Sequence, residues 1–159
     1  MNPPRGNAPA PRRLAADRPE GPVLGFDYGT ERIGVAVGQT LTGTASPLTT
    51  LDAHGREPDW AAIDRLIGEW RPVALVIGIP RNMDDSDSEM TARASRFLRQ
   101  LRARHRLPTY GVDERLTTFD AEQRLSEAGL PRDRARGEID RVAAQLILET
   151  WFAGAEPAT

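Results

Sequence analysis

No cysteine occurs anywhere in the 159 residues, so disulfides, thiolate metal sites and cysteine nucleophiles are excluded. Lysine is absent too: all 21 basic residues are arginine, against 23 acids, for a net charge of −2. The overall charge therefore does not mark a nucleic-acid binder. Only local clusters of arginine carry weight, because the planar guanidinium fork suits phosphate oxygens. Histidine is scarce; His54 lies in a loop and His105 among arginines at a helix end, so no base stands ready for a serine triad. No apolar run reaches the length of a membrane span, and no apolar core follows the early arginines as a secretory signal requires. The cytoplasm is the expected compartment, with no membrane partner. Neither a Walker loop nor a G-x-G-x-x-G fingerprint is present.

What is present fits one domain. Residues 1–22, rich in Pro, Ala, Gly and Arg, read as a disordered leader, residues 23–153 as the folded domain and 154–159 as a flexible tail. VLGFDYG (23–29) is a short apolar run typical of a central strand. RIGVAVGQ (32–39) alternates, with Ile33, Val35 and Val37 on one face and small residues on the other, so it pairs back as a hairpin. ASPLTTLD (45–52) is a weaker strand whose proline fits a sheet edge.

Trp60, Ile63, Leu66, Ile67 and Trp70 fall at helical spacing within 58–70, with Pro58 in the first turn. VALVIGIP (73–80) reads as a strand buried on both faces. Ser88 to Arg104 predicts a helix, PTYGVDE (108–114) a strand, Thr117 to Glu127 a helix, 131–137 (PRDRARG) a charged loop, and Glu138 to Phe152 the last helix. Three antiparallel strands followed by alternating helices and strands predict an α/β fold, a mixed sheet flanked by helices. In such sheets sites form near the carboxyl ends of the parallel strands.

Three acids stand out. Asp27 ends the first strand and shares a face with Val23 and Gly25; it reads either as a turn-capping acid before Gly29 or as a ligand on an open face. Asp113 and Glu114 end a later strand and point to opposite faces, so only one can join Asp27. Glu114 gains weight from the helix start that follows it at Arg115-Leu116-Thr117-Thr118. Asp140 falls in the first turn of the expected last helix, where the dipole alone is sufficient reason for an acid, yet it flanks the apolar stripe Ile139–Ala143. Carboxylates converging from separate elements repel one another unless a cation joins them. All-oxygen ligation selects Mg²⁺ or Mn²⁺, and a pair of such ions is a general solution to phosphodiester cleavage.

The segments GFDYGTERIGVAVGQ, TGTASPL, VIGIPRNMDDS, VDERLTTFDAEQRL and GEIDRVAAQLILETWF, in this order over about residues 23–152, resemble the YqgF-type (RuvX-like) family of the RNase H-like superfamily. The resemblance implies a five-stranded mixed sheet with its first three strands antiparallel. It implies that Asp27, Glu114 and Asp140 hold the metal ions. It also implies a nuclease that matures the 5′ end of pre-16S ribosomal RNA, with resolution of four-way DNA junctions as the alternative. The partners expected are structured RNA or branched DNA, and ribosomal particles, for a monomer or homodimer. One departure is visible: Asp85 stands where the family usually has glycine, in Asn82-Met83-Asp84-Asp85.

Arg132, Arg134, Arg136 and Arg141 surround Asp140, and Arg32 and Arg115 adjoin Asp27 and Glu114; these six are the candidate phosphate contacts, against the plainer reading of a solvated mixed-charge loop. The arginines at 93, 96, 99, 102, 104 and 106 read as a solvent face. Tyr28 suits either packing or base stacking. Two other classes compete. Asp-x-Gly-Thr before a hairpin also opens the phosphate-binding domain of actin-like ATPases, which needs a second domain. A non-catalytic ribosome-assembly factor is the other.

Overall fold

The computed structural model describes residues 20–53, 57–82, 84, 86–114 and 132–154, the last stretch by backbone alone up to residue 136. Five strands form one sheet: β1 (Pro22–Asp27), β2 (Arg32–Gln39), β3 (Thr44–Asp52), β4 (Ala74–Ile79) and β5 (Thr109–Asp113), in the order β3-β2-β1-β4-β5. The pairs β1–β2 and β2–β3 are antiparallel, while β1–β4 and β4–β5 are parallel. This is the mixed five-stranded sheet expected from the sequence. Pro47 sits on the edge strand, where it costs no interior ladder bond.

Among the described residues three helices flank the sheet: α1 (Trp60–Trp70), α2 (Glu89–His105) and α3 (Arg132–Phe152). The strand pleat sorts the core between them. Leu24, Phe26, Ile33, Val35, Leu75 and Ile77 face α1 and α2, meeting Ile63, Ile67, Ala94, Phe97 and Leu101. Each such side chain contributes about 1.5–3 kcal/mol by leaving water. The alternate positions are smaller. Val23, Ala36, Ala74, Val76 and Val112 face α3 and pack on Ala144, Ile147, Leu148 and Trp151. Small residues on this face let α3 lie close to the sheet.

The helix starts obey local chemistry. Asp59 caps α1 by accepting from the Ala62 amide, so Pro58 lies just outside the helix rather than in its first turn. Ser88 caps α2 and exchanges hydrogen bonds with Thr91 in a capping box. At the other ends Arg71 and Arg106 take the left-handed conformation.

The largest departure from the sequence reading concerns α3. The charged loop expected over 131–137 is helical from Arg132 onward. Arginine and alanine are good helix formers, and Gly137 costs only about 1 kcal/mol. The Thr50 hydroxyl of β3 donates to the Gly137 carbonyl at 3.0 Å, docking this early part of the helix on the sheet edge. Asp140 therefore lies about two turns inside α3 rather than in its first turn. The dipole that would explain an acid at a helix start does not reach that far. The helix expected over Thr117–Glu127 and the departure at Asp85 lie outside the described residues.

Candidate active site

Asp27 is the last residue of β1, and Glu114 directly follows β5, so both stand at the carboxyl ends of parallel strands. Both face α3. Between them runs β4, and there Gly78 removes the obstacle: a Cβ at Gly78 would overlap the Glu114 Oε2 and the Ile147 side chain. The Glu114 carboxylate thus lies over a bare stretch of backbone and reaches across β4 to hydrogen-bond the Asp27 carboxyl. The backbone amide of Glu114 holds the strand end in place by donating to the Ile79 carbonyl at 3.3 Å.

On the other side of Asp27, its direct partner in β2 is Gly34. A Cβ on Gly34 would overlap the backbone carbonyl of Asp140. The missing side chain is what lets α3 approach the sheet at the height of Asp27. Asp27 is therefore flanked by two glycines in adjacent strands. One admits the helix that carries Asp140, and the other admits the side chain of Glu114. Neither Gly34 nor Gly78 was singled out from the sequence. The available signal was an isolated glycine inside an apolar strand, which often marks close approach by another group.

Burial raises the pKa of Asp27 well above the ordinary value, and the charge of Glu114, its hydrogen bond and the charge of Asp140 push the same way. Glu114 is buried and also raised, first by burial and then by the Asp113 charge, while its hydrogen bond with Asp27 opposes the shift. Two carboxyl groups this close ionise as a pair and hold a proton between them. Asp140 is raised by burial and pulled back by Arg32. Its Oδ2 accepts from Arg32 Nε at 2.7 Å. Among the described residues no three acids or histidines form a ready-made coordination shell: Asp27 and Glu114 are the pair, and Asp140 stands beside them, held by Arg32. An oxygen-only donor set that is costly to ionise fits a hard divalent cation such as Mg²⁺ or Mn²⁺.

The sign of these shifts sets a test. All three acids bind a proton more tightly in the folded chain than in the unfolded one, whose carboxyls ionise near 3.8 for Asp and 4.5 for Glu. The stability these three acids contribute is then highest at the acid end and falls as pH rises from those values through the raised ones. In chelator, the melting temperature should decline as pH rises above these ordinary values, and Mg²⁺ or Mn²⁺ should restore it mainly where the carboxyls are ionised. A metal-free protein whose melting temperature climbs over that range would contradict the shared-proton pair.

The six candidate arginines divide. Arg32 is bound to Asp140. Arg141 pairs with Glu138 on its own helix and donates to Thr50 Oγ1 at 3.3 Å. Arg132, Arg134 and Arg136 lie on the first turns of α3, and Arg115 lies outside the described residues. Tyr28 is buried against Phe97 at 5.0 Å between ring centres, so it packs rather than presenting a face for stacking. His105 lies 3.0 Å from Asp64, remote from the acids, and His54 is outside the described residues.

Residues 21–154 match the family model described as "RuvX: Holliday junction resolvase". The chain belongs to the RuvX family. Curated relatives support this over nearly their full length. A protein of Pseudomonas putida named "Putative pre-16S rRNA nuclease" is 49% identical over 82% of this chain and 93% of its own. One of the same name from Pseudomonas paraeruginosa is 50% identical over 88% of this chain and 97% of its own. In fold, this RuvX-family chain is similar to the yeast mitochondrial Holliday junction resolvase Ydc2, with a TM-score of 0.52 over 90% of this chain and 83% of that one at 10% identity. The RNase H-like α/β class expected from the sequence is the class observed.

Proposed function

We propose that this RuvX-family protein is a divalent-metal-dependent nuclease that hydrolyses phosphodiester bonds. Its substrate is the 5′ region of pre-16S ribosomal RNA, and its place is the cytoplasm. The observation that carries the reading is the packing of Asp27 against Glu114, with Asp140 alongside, at the carboxyl ends of β1 and β5. Buried like charges are costly for a fold and useful for holding a cation. Asp27, Glu114 and Asp140 are the ligands in this reading. Mg²⁺ or Mn²⁺, as a pair of ions, supplies neutralisation of the scissile phosphate and an activated water there. Among the arginines, Arg115, Arg132, Arg134, Arg136 and Arg141 hold the phosphate backbone, with Arg32 at the site itself. The choice of RNA follows the names of relatives about half identical to this chain.

Four-way DNA is the second reading, favoured by the family description and by the likeness of fold to Ydc2. One experiment separates the two. Purified protein is incubated with ribosomal RNA precursor and with a synthetic four-way junction, in Mg²⁺, Mn²⁺ or chelator, beside Asp140→Asn. The expected result is RNA cleavage only with metal, lost in the variant. Cleavage of the junction alone would move the substrate to DNA. Cleavage unaffected by Asp140→Asn would remove the activity from this site.

A further inference from the structure

Arg32 was a candidate for phosphate contact, yet its guanidinium is engaged elsewhere. It crosses from the start of β2 to α3 and donates from Nε to Asp140 Oδ2 at 2.7 Å. The side chain of Asp140 is 17% exposed and that of Arg32 is 34% exposed, so the pair is recessed but open on the arginine's side. Its other charged neighbours are the exposed Glu31, at 3.7 Å, and the exposed Asp52, its partner across the β2–β3 ladder. Arg32 also stands five residues after Asp27, beyond the turn that brings β2 back beside β1. Its partner Asp140 is close enough to act on Asp27 electrostatically, so the guanidinium lies beside the acid cluster.

We propose that Arg32 is an exchangeable internal counter-cation: it occupies Asp140 in the free protein and passes to a backbone phosphate of the bound nucleic acid, so that Asp140 joins Asp27 and Glu114 when substrate is present. The inference rests on the nuclease reading and adds an order of assembly to it. Two physical facts support it. A guanidinium on a ligand carboxylate opposes a divalent cation on the same group, through both charge and lone pairs. Arginine also exchanges readily between carboxylate and phosphate, because its fork matches both. Substrate and metal are then linked: each binds more tightly in the presence of the other. Arg32 acts here through Asp140 and is a positioning residue.

The test is Mn²⁺ titration calorimetry on the full chain, with and without a phosphorothioate RNA oligonucleotide that keeps the backbone charge and resists cleavage. Wild-type protein should bind Mn²⁺ about tenfold or more tightly once the RNA is present. Arg32→Gln should bind Mn²⁺ about tenfold more tightly than wild type without RNA, and its gain from RNA should shrink. Arg32→Lys, which keeps the charge, should fall between the two. A merely structural role predicts the reverse for Arg32→Gln, because a ligand left unheld typically loses about 10–100-fold in metal affinity. Weaker or unchanged Mn²⁺ binding in Arg32→Gln, or a full gain from RNA in that variant, overturns the proposal. If wild type still cleaves RNA with metal, that outcome leaves the nuclease reading standing; absence of Mn²⁺ binding by wild type overturns both.

Discussion

Asp27→Asn is expected to abolish cleavage and at the same time to make the metal-free protein more stable. Loss of an essential ligand costs about three orders of magnitude or more in rate. The stability gain follows from the neighbours. In wild type, Asp27 is partly buried and shares its surroundings with the Glu114 and Asp140 carboxylates. An amide keeps the shape and hydrogen-bonding reach of the acid but removes its charge, and with it the repulsion. Replacements of this kind typically add about 0.5–2 kcal/mol, or roughly 1–8 °C in melting temperature for a domain of this size. The variant should also flatten the decline of stability with rising pH, since the pair has lost a titrating member. Chelator melts and a cleavage assay on the same preparations check both halves. A variant that is both inactive and less stable would mean that Asp27 serves the fold rather than the chemistry.

Gly34→Ala should have the largest effect on stability of any single methyl group added to the sheet. The new Cβ would overlap the Asp140 carbonyl. Backbone on backbone cannot rotate out of the way, so α3 must lift from β2. The expected cost is about 3 kcal/mol, a drop of roughly 6–12 °C. Cleavage should fail even below the melting point, because the lifted helix carries Asp140 away from Asp27. Gly68→Ala provides the contrast. Gly68 is an exposed position inside α1 with open space around it, and alanine there should stabilise by about 0.5–1 kcal/mol. Equal behaviour of the two variants in thermal melts would remove the close approach of α3 from the account.

Much of the architecture was legible in the sequence because period and local chemistry agreed. The alternation in 32–39 matches β2 residue for residue, and the apolar run at 73–80 contains β4. Ser88 opened α2 as its capping position. The placement of Asp27 on the face of Val23 and Gly25 followed from the pleat alone. The start of α3 was not legible. Six charged or small residues in seven look like a loop until the contact between Thr50 and Gly137 is known, and that contact spans 87 residues of chain. The same limit applied to Arg32. Proximity to Asp27 in sequence suggested a phosphate contact, while its partner in the fold is 108 residues away. Glu114 could be told from Asp113 by strand parity only once another element fixed which face held Asp27. The family resemblance supplied that choice, and in the structure Glu114 lies over the bare backbone of Gly78.

Gly34 and Gly78 change what it means to inherit this site. A descendant chain could keep Asp27, Glu114 and Asp140 and still lose the arrangement, by gaining one methyl group at either glycine. For the site proposed above, five positions rather than three form the signature to seek when genomes are screened. A chain with all three acids but a side chain at 34 or 78 is then best treated as a decayed duplicate, or as one that has rebuilt its helix contact and shifted its chemistry.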